Sequence, residues 1–144
     1  MDKKLPRLVV DTNVIISAII SIEGIPAQIL KAIRKNQAVL LVSDAIVQEY
    51  LEVLEYPKIQ KYKKLDAEHV RDLSSFLLTL TERVELLTEI KKSPDPDDDK
   101  FLSTAISGKA DLLITGDKED LLALKEIDGI PIVSAREALK LLKL

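Results

Sequence analysis

Three aspartates close, or sit next to, apolar runs in a way that would bring their carboxylates to one place. Asp11 ends Leu8-Val9-Val10, and Asp117 ends Leu112-Leu113-Ile114-Thr115-Gly116. Asp99 lies 18 residues before Asp117, within Pro94-Asp95-Pro96-Asp97-Asp98-Asp99-Lys100-Phe101. A parallel strand that ends in Asp delivers its carboxylate to the C-terminal edge of the sheet, where open α/β sheets bind ligands. Carboxylates converging there repel one another and call for a cation. Oxygen donors of this kind suit a hard divalent ion, Mg²⁺ or Mn²⁺. Glu49, between one and two turns into the helix after the second strand, can lean over the same edge.

Each acid also has a plainer reading. An Asp after a strand often only caps the next helix, which suits Asp117 and Asp97. Acids in a first helical turn complement the helix dipole, which suits Asp98 and Asp99. Glu49 can be a solvated residue beside a core face. Capping explains the acids one at a time; it does not explain why they share one sheet edge.

The elements that must position them read as βα repeats. Residues 7–10 form a strand with the apolar run Leu8-Val9-Val10, followed from Thr12 to about Ser21 by helical spacing of Val14, Ile15, Ala18 and Ile19. Pro26 fits the first turn of a second helix running to about Arg34. Ala38 to Val42 is the second strand, and Ser43 caps a helix with Ile46, Val47, Tyr50, Leu51 and Leu54 inward, ended or kinked by Pro57. Asp66 caps a helix with Val70, Leu73, Leu77 and Leu80 on one stripe. Val84 to Leu87 is a weak third strand. Asp97 caps the helix carrying Asp99, Leu102, Ala105 and Ile106, and Gly108 stops it. Residues 112–115 are the fourth strand, and Asp117 opens a short helix through Leu124. Ile130 to Val133 is a fifth strand, placed at an edge because Pro131 cannot donate to a ladder. Ser134-Ala135-Arg136-Glu137 has the form of a capping box. The order implies one domain, residues 1–144, with a mostly parallel sheet of about five strands covered by helices on both faces.

Composition narrows the chemistry. With 144 residues, 47% of them apolar but only 3% aromatic, the core must be aliphatic. There is no cysteine and a single histidine, His69, which excludes thiolate and histidine-rich metal sites and a two-histidine ribonuclease mechanism. The apolar runs are far shorter than a membrane span, and the opening residues do not read as a signal peptide; a cytoplasmic location is the expectation. The net charge of −3 is not the broad basic field of a phosphate-neutralising protein, so nucleic acid would need local charge. Lys58, Lys61, Lys63 and Lys64, with Tyr62 among them, are the densest source and the candidate nucleic-acid contacts; the alternative is a solvated surface or a subunit contact.

Leu8-Val9-Val10-Asp11-Thr12-Asn13-Val14 resembles the opening motif of PIN domains. Val42-Ser43-Asp44 with Glu49, Asp95 to Leu102, and Leu113-Ile114-Thr115-Gly116-Asp117 resemble their second, third and fourth motifs, in order and across essentially the whole chain. The likeness is to the small stand-alone toxin-type proteins (VapC-like). It implies a Rossmann-like three-layer α/β/α sandwich, and an endoribonuclease that cleaves single-stranded RNA through water activated by one or two Mg²⁺ or Mn²⁺ ions. It implies an antitoxin protein partner and a homodimer. The family's acidic quartet falls on Asp11, Glu49, Asp99 and Asp117, with Asp98 and Asp97 as fallbacks for the third acid. Asn13 matches a polar residue beside the first Asp, and Thr115 a hydroxyl near the fourth. The rival readings are a non-catalytic RNA- or protein-binding module on the same fold, and a Mg²⁺-dependent phosphatase or receiver-like domain. A phosphatase of the haloacid-dehalogenase type would want a second Asp where Asn13 stands. A receiver would want an Asp after the third strand and a Lys after the last.

Overall fold

The computed structural model describes residues 4–61, 67–87, 96–116 and 120–144, and within them the side chains of all but residues 58, 60, 67, 69, 70, 78 and 96. Strand β1 (Arg7–Val10) is followed by α1 (Thr12–Ile20) and α2 (Ile25–Arg34), then β2 (Val39–Val42), α3 (Asp44–Leu54), α4 (Pro57–Gln60) and α5 (Ala67–Thr79). Strand β3 (Thr81–Arg83), a 3-10 turn (Pro96–Asp98), α6 (Asp99–Ser107), β4 (Leu112–Ile114), α7 (Leu121–Leu124), β5 (Glu126–Ile127), β6 (Ile130–Val133) and α8 (Ala135–Leu142) complete the chain. The strands form one sheet in the order 3-2-1-4-6-5, parallel throughout except for the β5–β6 pair. Helices flank it, giving an α/β/α sandwich.

The central strands are aliphatic because both faces of a parallel sheet are covered. Leu8, Val9, Val10, Leu40, Leu41, Val42, Leu113 and Ile114 are all fully buried. Helices α1 and α2 meet at 93° and turn Val14, Ile15, Ile29 and Ile33 into the core. Helix α6 lies against β1, β2 and β4. Among the described residues no single helix is long and apolar enough to cross a membrane.

The chain runs from β1 outward to β2 and β3, then returns to β4 on the other side of β1. The switch point therefore lies between β1 and β4, where Asp11 N–H donates to Ile114 O at 2.9 Å. This is the neighbourhood expected of a ligand site in such a sheet.

Four expectations need correction. The third strand is Thr81–Arg83, not residues 84–87. The Thr81 hydroxyl donates back to Leu77 O at 2.6 Å, so the chain enters the sheet directly after α5, and Leu80 falls outside the helix and is exposed. An edge strand tolerates Glu82 and Arg83, and Arg7 pairs with Glu82 at 2.5 Å; the apolar residues that follow, Leu86 and Leu87, are exposed. Second, β6 is not an edge strand. Residues 126–127 add a sixth strand beside it through the turn Asp128-Gly129, both at positive φ (48° and 81°), the geometry of a two-residue hairpin. Pro131 stands opposite Glu126, while the neighbouring Ile132 N–H makes the cross-strand bond to Lys125 O at 2.9 Å. Third, Asp97 does not cap α6. It sits inside the 3-10 turn, and Asp98 holds the N-cap position with helical dihedrals and no capping hydrogen bond from its side chain. Fourth, α7 starts at Leu121 rather than at Asp117, which with the Asp66 cap lies outside the described residues.

Gly108 ends α6 as expected, but for a different reason. Its φ of −91° is open to any residue; Lys109 takes the positive φ (53°) instead. A Cβ on Gly108 would lie 2.9 Å from both Leu41 Cδ1 and Val84 Cγ2 and 3.1 Å from Thr104 O. The glycine lets the end of α6 settle onto β2 and the start of the loop after β3. Gly108→Ala is therefore expected to lower stability by about 1–3 kcal/mol, measured by urea unfolding; an unchanged midpoint would mean that Leu41 and Val84 move aside freely.

Candidate active site

Asp11 is the N-cap of α1 and is 5% exposed. Its Oδ1 accepts from Val14 N–H at 3.0 Å. Its Oδ2 accepts from the Thr115 hydroxyl and from Gly116 N–H, the latter at 3.3 Å. A buried carboxylate is tolerated only when donors surround it, and here they come from the start of α1 and from the chain leaving β4. Thr115, itself fully buried, thus positions Asp11 directly.

Glu49 reaches the same edge from α3. One of its oxygens accepts from the Thr12 hydroxyl and the other from Lys100 Nζ at 2.5 Å. The next residue, Tyr50, is fully buried and donates its hydroxyl to Val10 O. Two adjacent residues of α3 thereby grip the chain on both sides of Asp11. Burial pushes the Tyr50 phenol well above its ordinary range, and the Asp11 and Glu49 carboxylates push it further in the same direction.

Asp11, Thr12, Asn13, Glu49, Val53, Asp98 and Phe101 line one open cleft of about 290 Å³. Two other hollows, between α1, α2 and α5 and at the opposite sheet edge beside Arg7 and Lys109, lack such a grouping of acids. Of the three consecutive acids, Asp98 faces the cleft with one carboxylate oxygen enclosed; Asp97 is exposed, and Asp99 is half-buried on the first turn of α6 without lining the cleft. Asn13 is exposed at the rim. Among the described residues, no three acids stand close enough to share one ion. Of the basic group, Lys61 is exposed just after α4 and Lys58 lies on α4; Tyr62, Lys63 and Lys64 lie outside the described residues, as does Asp117.

The sequence reading assigned no role to Thr12, Tyr50 or Lys100. Thr12 and Lys100 stand next to acids in the quoted motifs, and that adjacency was their only signal. Tyr50 read correctly as a core residue, but its hydroxyl partner 40 positions away left no local trace.

The chain matches the family model described as PIN domain over residues 7–119. It is 35% identical over 126 residues to the protein MJ1680 of Methanocaldococcus jannaschii, an alignment spanning 88% of this chain and 79% of that one. Its fold is similar to PAE2754 from Pyrobaculum aerophilum, with a TM-score of 0.59 and 19% identity over 96% of this chain and 90% of the other. It is also similar to a chain of VapBC2 from Rickettsia felis, solved bound to a DNA fragment from their promoter, with a TM-score of 0.55 and 17% identity over 88% and 96%. With a nuclease-type fold and a family match over most of its length, the chain belongs to the PIN-domain family.

Tyr50→Phe removes one buried hydroxyl and leaves Val10 O without that donor, so stability should fall by about 1–2 kcal/mol at neutral pH. The sign at high pH is separate. The folded protein keeps the phenolic proton where the unfolded chain releases it, above the ordinary value of 10.0, so stability falls as pH rises through that region. Wild type should lose stability between pH 9.5 and about 11 more steeply than Tyr50→Phe. Parallel pH profiles in thermal unfolding would show that the buried phenol is not held neutral.

Proposed function

We propose that the protein is an endoribonuclease that hydrolyses single-stranded RNA with Mg²⁺ or Mn²⁺ bound in the Asp11–Glu49–Asp98 cleft. The observation that carries this is the convergence of three carboxylates from β1, α3 and the start of α6 on one pocket at the switch point. The donor set is all oxygen, which fits a hard divalent ion and no thiophilic one. Asp11, Glu49 and Asp98 line the cleft and would have to draw together to hold the ion, since no three described acids stand within one ion's reach; the family's fourth acid falls on Asp117, outside the described residues. Cleft geometry thus favours Asp98 over Asp99 as the third ligand, and Asp99 remains the alternative by its spacing to Asp117. Once bound, a divalent ion supplies positive charge to the scissile phosphate and an activated water as nucleophile.

The protein's own groups prepare this chemistry. Val14 N–H, Thr115 and Gly116 N–H hold Asp11 in one orientation before any ligand arrives, which keeps reorganisation small. Thr12 fixes Glu49. Asn13, exposed at the rim, would donate its amide to a phosphate oxygen. Beyond the cleft, Lys58, Lys61, Lys63 and Lys64 would supply phosphate contacts, and Tyr62 a face for an unpaired base. Kinship with toxin-type PIN proteins extends the reading to a cytoplasmic toxin, acting as a homodimer and restrained by an antitoxin protein. Two observations favour a non-catalytic module instead: both Glu49 oxygens are already engaged, and no three described acids share an ion's reach.

Cleavage of an unstructured RNA, with Mn²⁺ or Mg²⁺ against EDTA, separates the two. Asp11→Asn, Glu49→Gln and Asp98→Asn should each reduce the rate roughly a hundredfold or more, since even residues that merely support metal ligands contribute 10–100-fold, while Asp99→Asn and Asp95→Asn should be mild. Loss with Asp99→Asn but not with Asp98→Asn would return the third ligand to Asp99. No cleavage by the purified wild type would favour the binding module, and cleavage that persists in EDTA and in Asp11→Asn would overturn the metal-dependent reading. Changing the four lysines to Gln should weaken RNA binding and flatten its salt dependence without altering ion binding; equal affinity at low and moderate salt would remove them from the binding surface.

A further inference from the structure

Lys100 is the second residue of α6, two positions beyond Asp98, and its ammonium is drawn onto Glu49. The contact is 2.5 Å, and both side chains are only about a quarter exposed, at 23% and 24%. The lysine backbone is pinned as well, because Lys100 O accepts from the Thr104 hydroxyl at 2.7 Å. The second Glu49 oxygen is taken by Thr12. A half-buried carboxylate that faces other acids needs a positive partner, and the fold supplies one from its own chain.

That partner has a consequence for ion binding. A divalent ion that coordinates Glu49 must either take an oxygen away from Lys100 or sit beside a like charge. Both oppose binding. We propose that Lys100 is the internal counter-ion of Glu49 and competes with the divalent ion for that carboxylate, so that it lowers the cleft's intrinsic affinity for metal. This rests on the reading of the cleft as a metal site. In the ion-free protein Glu49 is held by Lys100 and Thr12, and no three described carboxylates are within reach of one ion. Release of Lys100 by the ion leaves an ammonium near a cleft that is to receive a phosphodiester. By linkage, a phosphate that accepts this ammonium must strengthen ion binding, as the ion strengthens phosphate binding.

The test is calorimetric titration of Mn²⁺ alone, without RNA, into the full chain and into Lys100→Met, Lys100→Gln and Lys100→Arg. Circular dichroism and ion-free melting confirm that each is folded. Lys100→Met and Lys100→Gln should bind Mn²⁺ roughly tenfold more tightly, a coupling of ordinary size between neighbouring sites, although their ion-free melting temperature falls. Lys100→Arg, which keeps the charge, should stay near wild type. The gain should vanish when Glu49→Gln is combined with Lys100→Met. A lysine that only supports the structure predicts the reverse, weaker Mn²⁺ binding on its removal. Binding by wild type with equal or lower affinity in folded Lys100→Met and Lys100→Gln overturns the competition and leaves the metal site standing. Absence of Mn²⁺ binding in wild type and in all three variants overturns both.

Discussion

The rest of the site depends on the way the Asp11 carboxylate is buried. A charged group that is 5% exposed demands donors in fixed places, and it takes them from two separate pieces of chain. Val14 N–H belongs to the first turn of α1, whose unpaired N–H groups are natural partners for an acid. Thr115 and Gly116 belong to the segment leaving β4. One carboxylate thus closes the end of β1, caps α1 and holds the chain that leaves β4 at Thr115 and Gly116. The ladder bond from Asp11 N–H to Ile114 O makes this register-dependent, since a shift of either strand would separate Asp11 from its donors.

Most of the frame was legible because it follows from local pattern. Leu8-Val9-Val10 and Leu112-Leu113-Ile114 could only be buried parallel strands, and Ser43 and Ser134 cap their helices as their positions require, accepting from Ile46 N–H at 3.4 Å and Glu137 N–H at 3.2 Å. The errors fall where an element owes its place to a distant partner. Strand β3 exists because Thr81 to Arg83 align with Leu40 to Val42, not because its own residues are apolar. The two-residue β5 is set by the Asp128-Gly129 turn, a signal present in the sequence that the edge placement argued from Pro131 did not use. Gly108 was correctly read as a stop, yet what requires it is Leu41 and Val84, 67 and 24 positions upstream.

The site divides along the same line. Asp11 and Glu49 could be located because each follows a strand at a spacing that fixes which edge it meets. The third acid could not be settled by counting back from Asp117. Sequence distance to a later strand says nothing about rotation about the axis of a helix, and successive residues in a helix point about 100° apart. Within Asp97-Asp98-Asp99 the cleft takes Asp98 because the chain passes from a 3-10 turn into α6 at that point. A change of helical type at the boundary has no signature in three identical side chains.

Helix α3 shows how the fold meets the corresponding difficulty for Glu49. A glutamate has three flexible torsions, and a helix alone would not aim it. Tyr50 locks the helix's rotation by sinking its ring into the core and bonding Val10 O, the carbonyl immediately before Asp11. With that rotation fixed, the preceding residue must project along the cleft edge, where Thr12 can take one oxygen and Lys100 the other. Aromatic burial is thereby converted into placement of a charge. The same coupling links stability and site geometry: residues that contribute to the core at Tyr50 and Thr115 are those that orient the two acids. A loss of packing at either position should therefore disturb the cleft even where the sheet itself is intact, which distinguishes this arrangement from acids carried on surface loops.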